Sequence, residues 1–317
     1  SRPRLPRLLA APALAFVARL VAPIVSLAFR AGTGGWDAWE VLGRASTARL
    51  VGRTLGLAAA VSATSVSVGV PLAWLVTRTD LPARRVWFAL ASLPLVIPSY
   101  VAALALIGAF SPRGLLQQVL EGPFGVQRLP EIYGFPGALL AVTLSTVPYV
   151  FLLAAAAFRR VDPALEEAAR GLGRSRLSTF ATVTLPLARP SVAAGALIAA
   201  LYAISDFGAV SLMRYDTLTR AIFTQYRSLL DREPAAVLGL LLVAITSAIL
   251  VVEARARGGG RIHRTAPGAG RRAAPVPLGR WRWPALAAVA AVVAVLVAVP
   301  VAVLGYWLGR GLALGED

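Results

Sequence analysis

The residues able to do chemistry in this chain are few. Histidine occurs once, at His263, and cysteine is absent, so there is neither a thiolate metal site nor a disulfide framework. His263 lies in a basic stretch with no companion ligand nearby, and the carboxylates are scattered. One polar segment stands out: Glu166-Glu167-Ala168-Ala169-Arg170-Gly171-Leu172-Gly173, followed after nine residues by Val183-Thr184-Leu185-Pro186. It is mixed in charge and set between long apolar runs. It is the one sizeable polar loop of the chain, and so the part given over to contact with something else.

The elements that position this segment follow from local rules. Asp162 suits a helix N-cap with Pro163 at the first helical position, and Glu166 and Glu167 then fall near the positive end of the helix dipole. Gly171 and Gly173 permit the open backbone that ends this helix. Ser175 to Val183 predicts a second short helix that Pro186 stops. The expected product is a helix-turn-helix on a membrane surface.

The spacing Glu-Ala-Ala, three residues, Gly, nine residues, a β-branched residue, one residue, Leu-Pro resembles the coupling loop of ABC-transporter permease subunits. The match falls on Glu167, Ala168, Ala169, Gly173, Val183, Leu185 and Pro186, with Val183 where the family usually has Ile. The resemblance implies that the loop, spanning 159–189, lies on the cytoplasmic side and docks into a cleft of an ATP-hydrolysing subunit. The small alanines would let the helix sit close against that partner.

Composition agrees with a membrane protein. Hydrophobic residues make up 57% of 317 residues and the mean hydropathy is +0.71, with the apolar residues in runs near membrane-spanning length. The predicted class is all-α and polytopic, a six-helix permease core plus one further transmembrane helix. The expected organisation is an N-terminal helix and outer loop (1–53), the core (54–253), a basic cytoplasmic linker (254–283) and a seventh helix (284–317).

In chain order, the spans are expected near 8–29, 54–77, 86–110, 137–158, 190–207, 235–252 and 284–308. Arg19 falls mid-span, where a lone arginine costs roughly 2.5 to 3.5 kcal/mol, so it is expected to face a bundle interior or cavity unless it snorkels to the interface. Trp36 and Trp39 suit a headgroup-level loop. Pro94 and Pro98 either kink the third span around a pathway or reflect the tolerance of membrane helices for proline. Leu115, Leu116, Val119 and Leu120 predict a short interfacial helix, and Leu218, Ile222, Tyr226 and Leu229 a second one opposite Arg220 and Arg227. Asp206, near the end of the fifth span, is either a pathway residue or a solvated cap. The linker 253–283 shows no packing pattern.

The net charge of +17 is asymmetric. This layout puts twenty arginines against five acids on the side of the polar loop and eleven against ten on the other. That excess places the loop and the N-terminus in the cytoplasm and accounts for the charge without nucleic acid.

Leu93-Pro94-Leu95-Val96-Ile97-Pro98-Ser99-Tyr100, Pro148-Tyr149-Val150, Asp206-Phe207-Gly208-Ala209-Val210 and Thr217-Leu218-Thr219-Arg220-Ala221-Ile222 are similar to the ferric-iron permeases. The chain resembles the first half of a fused permease of that type, with the seventh helix as the start of a second unit. The resemblance implies an importer subunit of the bacterial cytoplasmic membrane, working with an ATP-binding subunit, an extracytoplasmic solute-binding protein, a second permease half and membrane lipid. ATP would be hydrolysed by the partner, no cofactor or metal would be held here, and no Gly-x-x-x-x-Gly-Lys motif is present. Ferric iron is the expected cargo, with thiamine, a polyamine or a sulfate-type anion as alternatives. Pro98, Tyr100, Ser205, Asp206, Phe207 and Gly208 are the candidate pathway residues. A secondary transporter is the competing class, but no inverted repeat and few intramembrane acids support it.

Overall fold

A computed structural model of the chain describes residues 7–110, 129–227, 232–257 and 275–314, with the isolated positions 114, 116, 117, 121, 122 and 125. The helices are α1 (Arg7–Thr33), α2 (Gly35–Gly43), α3 (Ala45–Arg78), α4 (Arg84–Ser92), α5 (Ser99–Phe110), α6 (Phe135–Arg160), α7 (Pro163–Gly171), α8 (Arg176–Thr179), α9 (Leu185–Ser205), α10 (Gly208–Leu212), α11 (Leu218–Arg227), α12 (Arg232–Arg257), α13 (Arg282–Val293) and α14 (Val299–Leu314). The class is all-α, as expected. Among the described residues six stretches are long and apolar enough to cross a membrane, and α4 with α5, bent by 100°, makes a seventh if the pair counts as one broken span and not as a re-entrant loop. The interfacial helix expected around Leu115 to Leu120 lies largely outside the described residues.

The third span differs from the expectation of one helix. A 3₁₀ turn at Leu93–Val96 follows α4, Ile97 is extended (φ −89°, ψ 112°), and α5 sets off at 100° to the first half. Pro98 is the reason, because its ring disfavours the helical region for the residue before it. Its carbonyl then accepts from Val101 and Ala102 at 3.0 and 3.1 Å, which starts α5 afresh.

The fifth span shows the reverse. Pro186 does not stop a helix: α8 runs through a π turn at Phe180–Thr184 into α9, giving one apolar stretch from Arg176 to Ser205. A π turn accommodates the missing donor and the bulk of the ring, so the axis continues. The span therefore begins well before the expected residue 190.

The chain forms two compact units. In the first, the end of α1, α2, the start of α3, α11 and α12 enclose Ala31, Val41, Leu218, Val237 and Leu238. Trp39 Nε1 donates to the Ala31 carbonyl at 3.1 Å, so what reads as a loop is a short helix pinned to α1. Thr54 Oγ1 accepts from Leu218 N at 3.0 Å, which seats α11 on α3. Most of the described part of α1 is exposed, including Arg19, which is not packed into an interior formed by the described residues. Only the last turns of α1 pack inward, and its apolar side chains Leu14, Phe16 and Leu20 stay open to lipid or protein.

The second unit is built around α6, whose apolar window is 72% buried. Long-run burial of this kind is what an all-round apolar helix requires. α9 lies along it, and a Cβ at Gly195 would stand 2.8 Å from Val150 Cα, so the backbones touch only because position 195 has no side chain. Ser62 donates to the Ala196 carbonyl at 2.8 Å and Ser65 bonds Thr146 at 2.8 Å, tying α3 to both. α13 and α14, joined by a π turn at Ala294–Ala298, pack on α4 and α5, with Val303 against Ala105 and Ala109.

Candidate functional site

The polar loop begins as predicted. Asp162 Oδ1 accepts from Ala164 N at 2.9 Å and Pro163 opens α7. At the other end Gly173 has φ +84°, with Gly173 N on the Arg170 carbonyl (3.0 Å) and Arg174 N on the Ala169 carbonyl (3.2 Å). This pair of bonds is a Schellman cap, and the left-handed residue at its corner is where glycine is favoured.

The two glutamates part company. Glu166 and Ala169 point inward and are buried, whereas Leu165, Glu167 and Ala168 are exposed. One carboxylate oxygen of Glu166 is paired with Arg78 Nη2 at the end of α3, and the other accepts from Thr184 Oγ1 at 2.6 Å in the π turn. Arg78 Nη1 also donates to the Phe158 carbonyl at 3.2 Å. Four elements thus converge on one buried ion pair. Neither Arg78 nor Thr184 stood out in the sequence as a partner for Glu166; Arg78 belongs there to a short charged turn with Asp80, Arg84 and Arg85. A usable signal existed: a helix with Ala169 inward puts Glu166 on the same face, and a buried acid demands a cation.

Outside this anchor the loop is bare. Leu172 is 84% and Leu177 75% exposed, and Glu167, Ala168 and Gly173 share the surface with them. Val183, Leu185 and Pro186 are half-buried on the π turn and its continuation, beside Phe180, which stacks on Trp74 and Phe158 at 5.3 and 5.9 Å. Ala169 faces into the chain, so of the two alanines only Ala168 offers a close approach from outside.

The end of the linker has a packing role the sequence did not disclose. Val276 bridges Thr79: Val276 N donates to the Arg78 carbonyl at 2.8 Å and Asp80 N to the Val276 carbonyl at 3.2 Å. Asp80 Oδ1 accepts from Leu278 N at 2.8 Å, and Arg176 Nη1 donates to the Pro277 carbonyl at 2.9 Å. The strap is fastened to the α3–α4 turn and to α8.

The candidate pathway residues come together where α5 starts and α9 turns into α10. Asp206 is not a solvated cap. It is buried, accepts from Ser99 Oγ, and holds Ala209 N at 2.9 Å and Val210 N at 3.3 Å. A Cβ at Gly208 would meet Tyr100 Cβ at 2.8 Å. Tyr100, Ser205 and Phe207 present exposed surface around this joint, and Pro98 sets its geometry from the other side. Ser99, unremarked in the sequence, is the residue that closes it.

Residues 65–313 match the family described as binding-protein-dependent transport system inner membrane component. The chain belongs to this family of ABC permeases. A probable molybdenum ABC transporter permease of Haloferax volcanii is 36% identical over 68% of the permease and 76% of that relative. A ferric-iron transport permease of Haemophilus influenzae is 29% identical over 72% of the permease, which spans only 42% of that longer relative. The fold is also that of a bacterial alginate ABC transporter crystallised with an alginate-bound periplasmic protein, at a TM-score of 0.65 and 19% identity over 82% of the permease and 94% of that chain.

Proposed function

We propose that this permease is the membrane subunit of a binding-protein-dependent importer, driven by a separate ATPase that docks on the α7 to α8 surface. The observation that carries this reading is the contrast within that loop. Leu165, Glu167, Ala168, Leu172 and Leu177 are exposed along α7, the turn after it and α8, with α7 held from beneath by the buried Arg78–Glu166 pair. A surface of bare leucines on a rigid support is what a partner needs in order to push. Glu167, Ala168, Ala169, Gly173, Val183, Leu185 and Pro186 form the coupling element, with ATP hydrolysed by the partner and no ATPase site in this chain. The loop and the N-terminus face the cytoplasm, and an extracytoplasmic binding protein and a second permease half complete the assembly.

The cargo in this reading is a small inorganic ion. The molybdenum relative favours an oxyanion, whereas the iron relative and the Asp206-Phe207-Gly208-Ala209-Val210 string favour ferric iron. The test is ATP hydrolysis by the reconstituted importer with binding proteins loaded with molybdate, sulfate or ferric iron. Stimulation by one of them, abolished by Gly173→Asp, bears out the reading and names the cargo. Stimulation that survives Gly173→Asp removes the coupling assignment.

A further inference from the structure

The first unit carries a charge arrangement that the transport reading leaves unexplained. α3 starts at Ala45 with no acid in its first turn. Instead Arg44 precedes it, and Ser46, Arg49 and Arg53 follow at spacings of three and four on one face. Cations at the positive end of a helix, and like charges four residues apart, both oppose folding.

Across from this face, α11 contributes Arg220 and the turn before it contributes Asp216. Asp216 pairs with Arg53 at 3.1 Å and with Arg220. Among the described residues, Arg44, Arg49, Arg53 and Arg220 thus lie around the Asp216 carboxylate. Among the described residues no acid pairs with Arg44 or Arg49. The groups rim two adjoining hollows of about 220 and 320 Å³, which share Ser46, Leu50 and Asp216. A bound water takes about 30 Å³, so each hollow has room for a small anion with part of its hydration shell.

Gln225 supplies a second, independent observation. Gln225 lines the first hollow, and its Oε1 is buried with no hydrogen-bond partner among the described residues. The amide orientation is interchangeable, and the flipped form places an N–H pair there that needs an acceptor.

We propose that Arg44, Arg49, Arg53 and Arg220 form a binding site for an oxyanion group, either a free tetrahedral dianion or the phosphate of a lipid headgroup. Planar guanidinium forks from two sides match its oxygens, Gln225 adds an amide donor, and the anion relieves the repulsion along α3. Asp216 holds Arg53 and Arg220 in place and keeps the site from closing on itself. The site belongs to the first unit and shares no residue with the polar loop of the second, and its occupation is independent of which cargo is transported.

The test uses the full chain in nanodiscs without ATPase, so its outcome is separate from that of the coupling reading. In neutral phosphatidylcholine discs, equilibrium binding of labelled sulfate and of molybdate is measured for the wild type, Arg44→Gln/Arg49→Gln and the charge control Arg227→Gln. In a second arm the discs contain phosphatidylglycerol, and retained lipid is read by native mass spectrometry. The expected result is binding that weakens at least about tenfold in the double variant, and further with added salt, while the control is unchanged. Loss in the first arm identifies a free anion, and loss in the second arm alone identifies the headgroup. Absence of binding in both arms overturns the proposal, as does binding indifferent to the double variant. So does a double variant that loses only the docking of an acidic protein.

Discussion

Replacing Glu166 by alanine is the sharpest probe of the polar loop proposed to couple transport to ATP hydrolysis. The Arg78 and Glu166 side chains are only 6% and 12% exposed, so solvent does little to screen the pair. Truncating one partner strands the guanidinium in the interior, leaving it the Phe158 carbonyl alone, and Thr184 Oγ1 loses its acceptor. Breaking a buried pair from one side costs about 3 to 5 kcal/mol. The loss falls on α7, which has little else holding it down. Amide exchange of residues 164–170 in the reconstituted permease should therefore accelerate by about two to four orders of magnitude, at about 1.4 kcal/mol per decade. Glu166→Leu combined with Arg78→Met removes both charges and should restore most of the protection, because a buried pair is worth little against apolar groups of similar volume. Stimulated ATP hydrolysis should fall in the single variant and recover in the double. Exchange within threefold of the wild type in Glu166→Ala would refute the anchoring argument. A double variant as unprotected as the single one would show that something other than the stranded charge was lost.

Three further outcomes are expected. Gly173→Ala should cost about 1 kcal/mol, from the left-handed φ of +84°, and Gly173→Asn less, so stimulated ATPase should rank Gly, then Asn, then Ala. Asp206→Ala removes the cap of α10 and the partner of Ser99, so thermal unfolding should show a loss of about 0.5 to 2 kcal/mol, and Ser99→Ala a smaller one. Asp80→Ala should free the Leu278 amide and speed exchange at Val276 and Leu278 while leaving α7 protected, since the strap and the Glu166 anchor share no side chain.

Much of the polar loop's structure was legible because its determinants are local. Asp162, Pro163 and Gly173 act through backbone groups within a few residues, and the structure places each of them in the predicted cap. Pro186 misled because a proline is read as a stop only if the helix before it is α-helical. A π turn removes the conflict, and the sequence carries no mark of one. Asp206 stayed open between two readings for another reason: its partner Ser99 is 107 residues away, and nothing near position 206 says whether the acid meets water or a hydroxyl.

Sequence alone determined the all-α membrane class, the approximate places of the spans, the family and the loop that bears its motif. Apolar run length, capping residues and motif spacing are properties of contiguous chain, and a bilayer admits few alternatives to helices. Only the tertiary structure decided that Glu166 turns inward to an arginine 88 residues earlier, that the third span breaks at 100°, that residues 276–278 strap the α3 turn, and that four arginines gather around one carboxylate. Each of these is a meeting of groups distant in sequence. Such meetings are set by which helix faces pack together, and charge or polarity at a single position does not encode its partner.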